Sequence, residues 1–274
     1  MLKCKIAICA ALTPTIGAGC VLAQTPSETA AKAAETCAEV PALTAKVEAQ
    51  RKTLQDWPDL ARYREANAGL TGPANGEQRV IFMGDSITDM WALPRFGGFF
   101  PGKPYVDRGI SGQTTPQMLV RFREDVIALQ PKVVVILAGT NDLAGNTGPI
   151  TVEETEGNLA SMAELARSNG IRVVLASVLP VSNYGHDAKG EPLDMRTKRP
   201  PEKILELNDW IKKYANQKGD TYLDYFSAMV DDQGLLKKEL SDDGLHPNGA
   251  GYAMMGPLAE RAIAASLGTR LKAR

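Results

Sequence analysis

The sequence predicts an α/β protein with a three-layer α/β/α, flavodoxin-like fold around a central, mainly parallel five-stranded sheet. From Arg79 onward, short apolar runs rich in β-branched residues alternate with helical patterns. Near-continuous apolar strands that are separated by helices are typical of a parallel sheet covered on both faces. The chain has 274 residues, of which 44% are hydrophobic. This suffices for one large domain with its own core.

Five apolar runs are the predicted strands, in chain order 80–83, 105–106, 133–137, 173–178 and 222–223. Apolar residues recur at helical spacing between and after these runs, which predicts helices near 115–129, 153–168, 202–217 and 248–267. In such a sheet, ligands bind beyond the carboxyl ends of the strands. The long irregular stretch 181–201 follows the fourth predicted strand, so we expect it to lie over the site.

The N-terminus carries the pattern of a secretory signal peptide over residues 1–23. Lys3 and Lys5 precede a short apolar run at 6–12, and small residues lead to a cleavage point before Gln24. The apolar run is too short to cross a bilayer as a helix. We therefore expect an exported protein, periplasmic or secreted, without stable membrane insertion.

Cys20 provides the weaker alternative, a lipoprotein, because Gly17 stands where a lipoprotein signal normally has an aliphatic residue. Residues 24–76 are rich in alanine, glutamate and lysine. They predict an N-terminal tail and helical extension, with a helix from about Ala42. The α/β domain is then expected over 77–270.

Charge and ligand types exclude several classes of function. The 31 basic residues are balanced by 32 acidic ones, so there is no overall positive field of the kind that binds nucleic acid. The two histidines are far apart and the four cysteines are scattered, which gives no metal-ligand spacing. We expect neither a metal nor a cofactor, and no nucleic-acid partner.

A candidate nucleophile follows the first predicted strand in Gly84-Asp85-Ser86-Ile87-Thr88. At a helix start, converging backbone N–H groups and the helix dipole favour negative charge, so an activated serine and an oxyanion both gain support there. The alternative is that Ser86 only caps a helix.

A candidate oxyanion donor follows the third predicted strand in Gly139-Thr140-Asn141-Asp142. The side-chain amide of Asn141 can donate a hydrogen bond to a developing oxyanion. Because glycine and asparagine both favour turns, an ordinary loop turn is the alternative.

A candidate general base lies just before the last predicted helix, in Asp243-Gly244-Leu245-His246. A serine hydrolase needs an imidazole that is held by a carboxylate and that takes the serine proton. An aspartate three residues before a histidine, with a glycine freeing the turn, can place both groups in one pocket. Taken alone, His246 is more typical of a surface turn.

These motifs together resemble those of the SGNH, or GDSL-type, serine hydrolase family, over about 79–267. Four blocks occur in the order of that family, Gly84–Thr88, Arg108–Gly112, Gly139–Asp142 and Asp243–Pro247. The resemblance implies a catalytic triad of Ser86, His246 and Asp243. It also implies an oxyanion hole formed by the backbone N–H groups of Ser86 and Gly112 and the side-chain amide of Asn141. The second block of the family commonly has an asparagine just upstream, where this chain has Asp107.

The predicted function is that of an exported serine esterase that cleaves a carboxylic ester through an acyl-serine intermediate. The polar stretch 182–200 favours a short acyl group on a polar carrier such as a carbohydrate. The aromatic stretch 91–100 either lines an acyl pocket or covers the core. A lysophospholipase or thioesterase-like lipid hydrolase and an acyltransferase with the same triad are the alternatives. A non-catalytic binding protein would be expected to have lost one of these groups, and the chain retains all of them. The oligomeric state is left open.

Overall fold

A computed structural model describes residues 26–187 and 189–268. The signal peptide predicted over 1–23, including Cys20, lies outside the described residues. The helices are α1 Pro26–Gln55, α2 Arg64–Gly69, α3 Ser86–Asp89, α4 Thr115–Asp125, α5 Thr140–Leu143, α6 Val152–Ser168, α7 Met195–Lys198, α8 Pro201–Lys218, α9 Phe226–Met229 and α10 Gly249–Leu267. The strands are β1 Val80–Gly84, β2 Tyr105–Gly109, β3 Val133–Leu137, β4 Arg172–Ala176 and β5 Thr221–Leu223.

The described residues divide into two compact units, one that ends at Leu54 and one that begins at Gln55. In the first unit, α1 begins at Pro26, well before the position near Ala42 from which a helix is expected. Proline is favoured in the first turn of a helix, and the alanine-, glutamate- and lysine-rich composition that follows has high helix propensity. In the second unit, residues 55–76 belong with the α/β sheet, although the sequence groups them with the N-terminal extension.

The second unit has the predicted fold, because its five strands form one parallel sheet in the order β2-β1-β3-β4-β5. The side chains of β1 and β3 are buried along their whole length, as expected for central strands that are covered on both faces. The four-residue helices α3 and α5 begin directly beyond the carboxyl ends of β1 and β3. This edge of the sheet therefore carries both of the first two candidate motifs.

Two apolar clusters fill the layers on either side of the sheet. One packs α4, α6 and α8 against one face, and the other packs α10 against the opposite face. The aromatic stretch 91–100 belongs to this second cluster: the ring of Trp91 is 5% exposed and stacks on Tyr252, with the ring centroids 5.0 Å apart. Its aromatic rings therefore cover the core, which was one of the two alternatives for this stretch.

The strand boundaries differ from the predicted ones by more than one residue at two strands. Strand β2 continues through Asp107 and Arg108 to Gly109, because an edge strand can accommodate charged side chains; Arg108 lies over the ring of Tyr63. Strand β4 ends at Ala176, earlier than expected, because the backbone of Val178 is paired with the side-chain amide of Asn208.

No helix in the described ranges is long and apolar enough to span a membrane.

Candidate active site

Ser86 and His246 meet across the carboxyl edge of the sheet. Ser86 is the first residue of α3, and the N-cap carboxylate of Asp85 accepts a hydrogen bond from the backbone N–H of Ile87 at 2.9 Å. The hydroxyl of Ser86 lies 2.9 Å from Nε2 of His246, which is 160 positions further along the chain. The Ser86 side chain is thus held at a helix start with an imidazole as its partner.

Asp243 holds the other side of the His246 ring. Its Oδ2 lies 2.6 Å from Nδ1 of His246, and its Oδ1 accepts the backbone N–H groups of Leu245 and His246 at 2.9 and 2.8 Å. Burial alone would raise the pKa of Asp243, but these hydrogen bonds outweigh it and hold the pKa well below its ordinary value. Asp243 therefore stays ionised and fixes the tautomer that leaves Nε2 free to accept a proton.

The loop that carries this pair needs a glycine at 244. Gly244 has a φ of +81°, and a Cβ atom there would lie 2.2 Å from the carbonyl oxygen of Ser182. The backbone N–H of Ser182 donates to the carbonyl of Gly244 at 2.8 Å. The start of the 182–200 stretch is thus attached directly to the loop of His246.

Asn141 lies on the same edge of the sheet, in α5. Gly139, with a φ of +119°, turns the chain out of β3 so that α5 begins at Thr140. The Asn141 side chain is 3% exposed. Its Nδ2 donates to the carbonyl of Gln113 at 3.0 Å, and its Oδ1 accepts from Nη2 of Arg199 at 3.3 Å. One N–H of the amide is thereby used for positioning, and the second is available for a ligand.

The Gly112 segment is held by residues on both sides of it. Asn146 Nδ2 donates to the Gly112 carbonyl at 3.1 Å. The carboxylate of Asp89, at the end of α3, accepts the backbone N–H of Ser111 at 3.2 Å and its hydroxyl at 2.6 Å. The helix of Ser86 and the loop of Gly112 are therefore tied together by one carboxylate.

Several supporting residues escape sequence reasoning. Arg121 is fully buried; it donates to the carbonyl of Gly84 at 3.0 Å and to the side chain of Gln113 at 2.6 Å. Gln113 in turn donates to the carbonyl of Pro58 at 2.7 Å. Arg199 was visible only as one cation among several in a polar stretch. No local pattern marks these residues, because each one also contacts a distant segment that the sequence does not reveal.

Two buried carboxyl groups near the site have raised pKa values. Burial raises the pKa of Asp85 to about 6, with the backbone N–H of Ile87 and the charge of His246 acting in the opposite direction. Burial raises the pKa of Asp107 to about 7, and the nearby charge of Asp89 adds to this. Each group has one oxygen, Oδ2, without a hydrogen-bond partner among the described residues.

The arrangement of a strand-end serine, a histidine and an aspartate is that of a serine hydrolase, and the comparison with known families agrees. The family described as GDSL-like Lipase/Acylhydrolase matches residues 82–254, which include all four sequence blocks. The protein is a serine carboxylic ester hydrolase. It belongs to the GDSL-like lipase/acylhydrolase family, as the sequence resemblance predicts.

Relatives and solved structures of this family align with most of the chain. A GDSL-like lipase from Bacteroides thetaiotaomicron superposes with a TM-score of 0.68 at 42% identity, covering 77% of this chain and 99% of that one. Esterase TesA from Pseudomonas aeruginosa is 32% identical over 62% of this chain and 80% of its own length. An acetylxylan esterase from Geobacillus stearothermophilus is 23% identical over 65% of this chain and 90% of its own.

A further relative, a Bacillus subtilis lipoprotein named YqeF, matches more narrowly. It is 34% identical over 79 residues, which is 28% of this chain and 32% of that protein. The chain therefore aligns with only about a third of the length of that relative.

Proposed function

We propose that the protein is an exported serine esterase that removes a short acyl group from a polar carrier, such as a carbohydrate, with Ser86 as the nucleophile. The observation that carries the proposal is the continuous hydrogen-bonded chain from Ser86 Oγ through the His246 ring to Asp243. Its acceptor nitrogen faces the hydroxyl, and its carboxylate is ionised, as proton transfer requires.

The reaction has two halves in this proposal. Ser86 Oγ attacks the ester carbonyl carbon while His246 Nε2 takes the hydroxyl proton; the tetrahedral intermediate then collapses and the carrier alcohol leaves with that proton. In the second half, water gives a proton to His246 and attacks the acyl carbon, and Ser86 recovers its proton as the acid leaves. The charge on the carbonyl oxygen is held by the N–H groups of Ser86 and Gly112 and by the free amide proton of Asn141.

A short acyl group is supported by the packing of the aromatic side chains. A long chain would need a deep apolar slot, at about 0.8 kcal/mol for each buried methylene. The aromatic stretch 91–100 is the nearest apolar candidate in sequence, and its rings pack on Phe82 and Tyr252 in the core. The acetylxylan esterase among the relatives acts on a short acyl group, as its name states.

A polar carrier is supported by the stretch 182–200 beside the His246 loop. Gly185 packs so closely on Asp243 that a Cβ atom there would lie 2.2 Å from the Asp243 carbonyl oxygen. Beyond it, a bridge between His186 and Pro192 closes a small hairpin, whose polar side chains favour hydroxyl groups over alkyl chains.

Rates on nitrophenyl esters of graded chain length test the acyl group. The proposal expects the highest kcat/KM at acetyl to butyryl. Rates that keep rising to long acyl chains would instead indicate a lysophospholipase or thioesterase-like lipid hydrolase. Product analysis with an added sugar distinguishes hydrolysis from acyl transfer, because a transferase would form a new sugar ester.

Replacing 186–192 by Gly-Ser tests the carrier. The flanking residues are already joined, because the backbone N–H of Leu193 donates to the Gly185 carbonyl at 2.9 Å. Activity on an acetylated sugar should fall far more than activity on nitrophenyl acetate. Equal losses would show that the hairpin only supports the fold.

Export is proposed with a mature N-terminus at Gln24. N-terminal sequencing of the protein recovered from a bacterial periplasm or culture medium tests it. Lipid on Cys20 would establish the lipoprotein route instead.

A further inference from the structure

We infer that Arg199 is a positioning residue for the oxyanion donor: it fixes the Asn141 amide and brings an unneutralised positive charge to the place where the oxyanion forms. This inference rests on the proposed function, because it assumes that Asn141 donates to the oxyanion. Arg199 lies at the end of the polar stretch 182–200, and its role is separate from recognition of the carrier.

Arg199 directly follows α7, and its buried guanidinium contacts two residues of α5. The residue is 5% exposed. Its Nε donates to the Thr140 carbonyl at 3.0 Å and to the Thr140 hydroxyl at 3.1 Å, and its Nη2 donates to Asn141 Oδ1 at 3.3 Å. One planar fork thus holds the backbone and the side chain of two consecutive residues of α5.

These contacts decide which way the Asn141 amide points. A guanidinium has only donors, so the atom facing Arg199 must be the amide oxygen. The amide nitrogen then faces the Gln113 carbonyl, to which it donates at 3.0 Å. With both ends fixed, the second N–H has one direction left to it. A flipped amide would set N–H groups against the guanidinium and the oxygen against a carbonyl.

The charge of Arg199 is not neutralised by a carboxylate in contact with it. Burial lowers the pKa of Arg199, while Asp85 and Asp243 oppose this through space only. In the described parts of the chain, no ion pair involves this residue. A buried cation without a paired carboxylate is costly to keep. The Arg199 charge would stabilise an oxyanion that forms at the neighbouring Asn141 amide, and this stabilisation would act only during the reaction.

A double-mutant cycle between Arg199 and Asn141 tests the inference. Arg199→Met should lower kcat by about 10- to 100-fold with KM changed by less than about threefold, because orientation of an oxyanion donor acts mainly in the transition state. In an Asn141→Ala background, the same change should cost at least about threefold less, since the group to be positioned is absent and only the effect of the charge on the oxyanion is lost. Equal losses in both backgrounds, or a loss confined to KM, would overturn the inference.

Two further variants keep the test decisive. Arg199→Lys retains the charge but loses the planar fork, and it should lose about three- to tenfold in kcat, again only while Asn141 is present. If Arg199→Met does not fold by circular dichroism, the cycle is completed with this lysine variant. Arg123→Met, which changes an exposed arginine on α4, is the matched control and should retain the parent kcat.

A separate readout follows the oxyanion itself. A serine hydroxyl adds to a short alkyl trifluoromethyl ketone, and the adduct carries an oxyanion. The inhibition constant of this ketone should therefore rise in Arg199→Met by about the factor lost in kcat/KM. An unchanged inhibition constant would overturn the inference. If Ser86→Ala retains activity, the proposed function itself fails. If Ser86→Ala is inactive while Arg199→Met has the parent kcat, only the role of Arg199 is wrong.

Discussion

The two halves of the proposed site, a proton-transfer side with Ser86, His246 and Asp243 and an oxyanion side with Asn141, are held in different ways. On the proton-transfer side, His246 takes its backbone and ring contacts from Asp243, three positions away, and only the contact with Ser86 spans the chain. On the oxyanion side, Asn141 is held by residues 28 and 58 positions away. The proton-transfer side is therefore built mainly within one loop, which Ser86, Ser182 and Gly185 contact from elsewhere in the chain. The oxyanion side is a network that exists only after the chain has folded.

The two halves also differ in exposure. The His246 and Asp243 side chains are 24% and 34% exposed, whereas the residues around Asn141 are buried. The partly exposed His246 ring can exchange protons with the alcohol and water that enter and leave. A buried network can keep its donors fixed, and fixed donors are what stabilise a developing charge.

The largest expected effect comes from removing the side chains of the proton-transfer half. Ser86→Ala and His246→Ala should each lower kcat by about 10⁴-fold or more, because each removes a group through which the serine is activated. The double variant should be little worse than either single one, since the two residues act as a unit. Hydrolysis of nitrophenyl acetate by folded variants measures this. A tenth of the activity surviving in Ser86→Ala would contradict the assignment.

The second largest effect comes from removing the side-chain donor of the oxyanion half. Asn141→Ala should lower kcat by about 10²–10³-fold, because the amide acts mainly in the transition state. KM should change little. A change seen only in KM would mean that Asn141 binds the ground-state substrate. The buried network around Asn141 would then not serve the oxyanion.

A smaller effect tests the link between the halves. Asp89→Ala removes the carboxylate that joins α3 to Ser111, and it should lower kcat by about tenfold through displacement of the Gly112 segment. Asp89→Asn keeps an acceptor for the Ser111 N–H and should restore most of that loss. If alanine and asparagine give the same kcat, the link has no catalytic consequence.

The smallest effect concerns stability and pH. The unfolded chain loses the Asp107 proton near its ordinary pKa of 3.8 and the folded chain near about 7. Stability from this group is therefore fully present below the lower value and is lost as pH rises toward the upper one. In the Asp107→Asn variant, this titratable carboxyl group is absent.

The difference in melting temperature, variant minus parent, should accordingly grow by a few degrees between about pH 5 and about pH 8. Asp232→Asn, at an exposed aspartate, is the control and should show no such growth. A constant difference for Asp107→Asn would show that this carboxyl does not titrate as its burial requires.

The difference between the halves explains what the sequence could predict. The parallel sheet follows from continuous apolar runs, and the family follows from Ser86, Asn141 and His246, because each stands in a short motif at a strand or helix end. Arg121 and Arg199 could not be identified, because each is a single arginine and the contacts that bury it include distant segments, with Gly84 for Arg121 and Thr140 for Arg199. A buried arginine and an exposed one look alike in a sequence.

The backbone carbonyls of Trp57 and Pro58 set how far the chain can be shortened for expression. They accept the side-chain amides of Gln117 and Gln113 at 2.6 and 2.7 Å. A fragment that starts at residue 77 leaves both buried amides without these acceptors, at about 1–3 kcal/mol each. It would also loosen the peptide that orients Asn141. We therefore expect a catalytically competent minimal enzyme to begin near Gln55, ahead of the sheet itself.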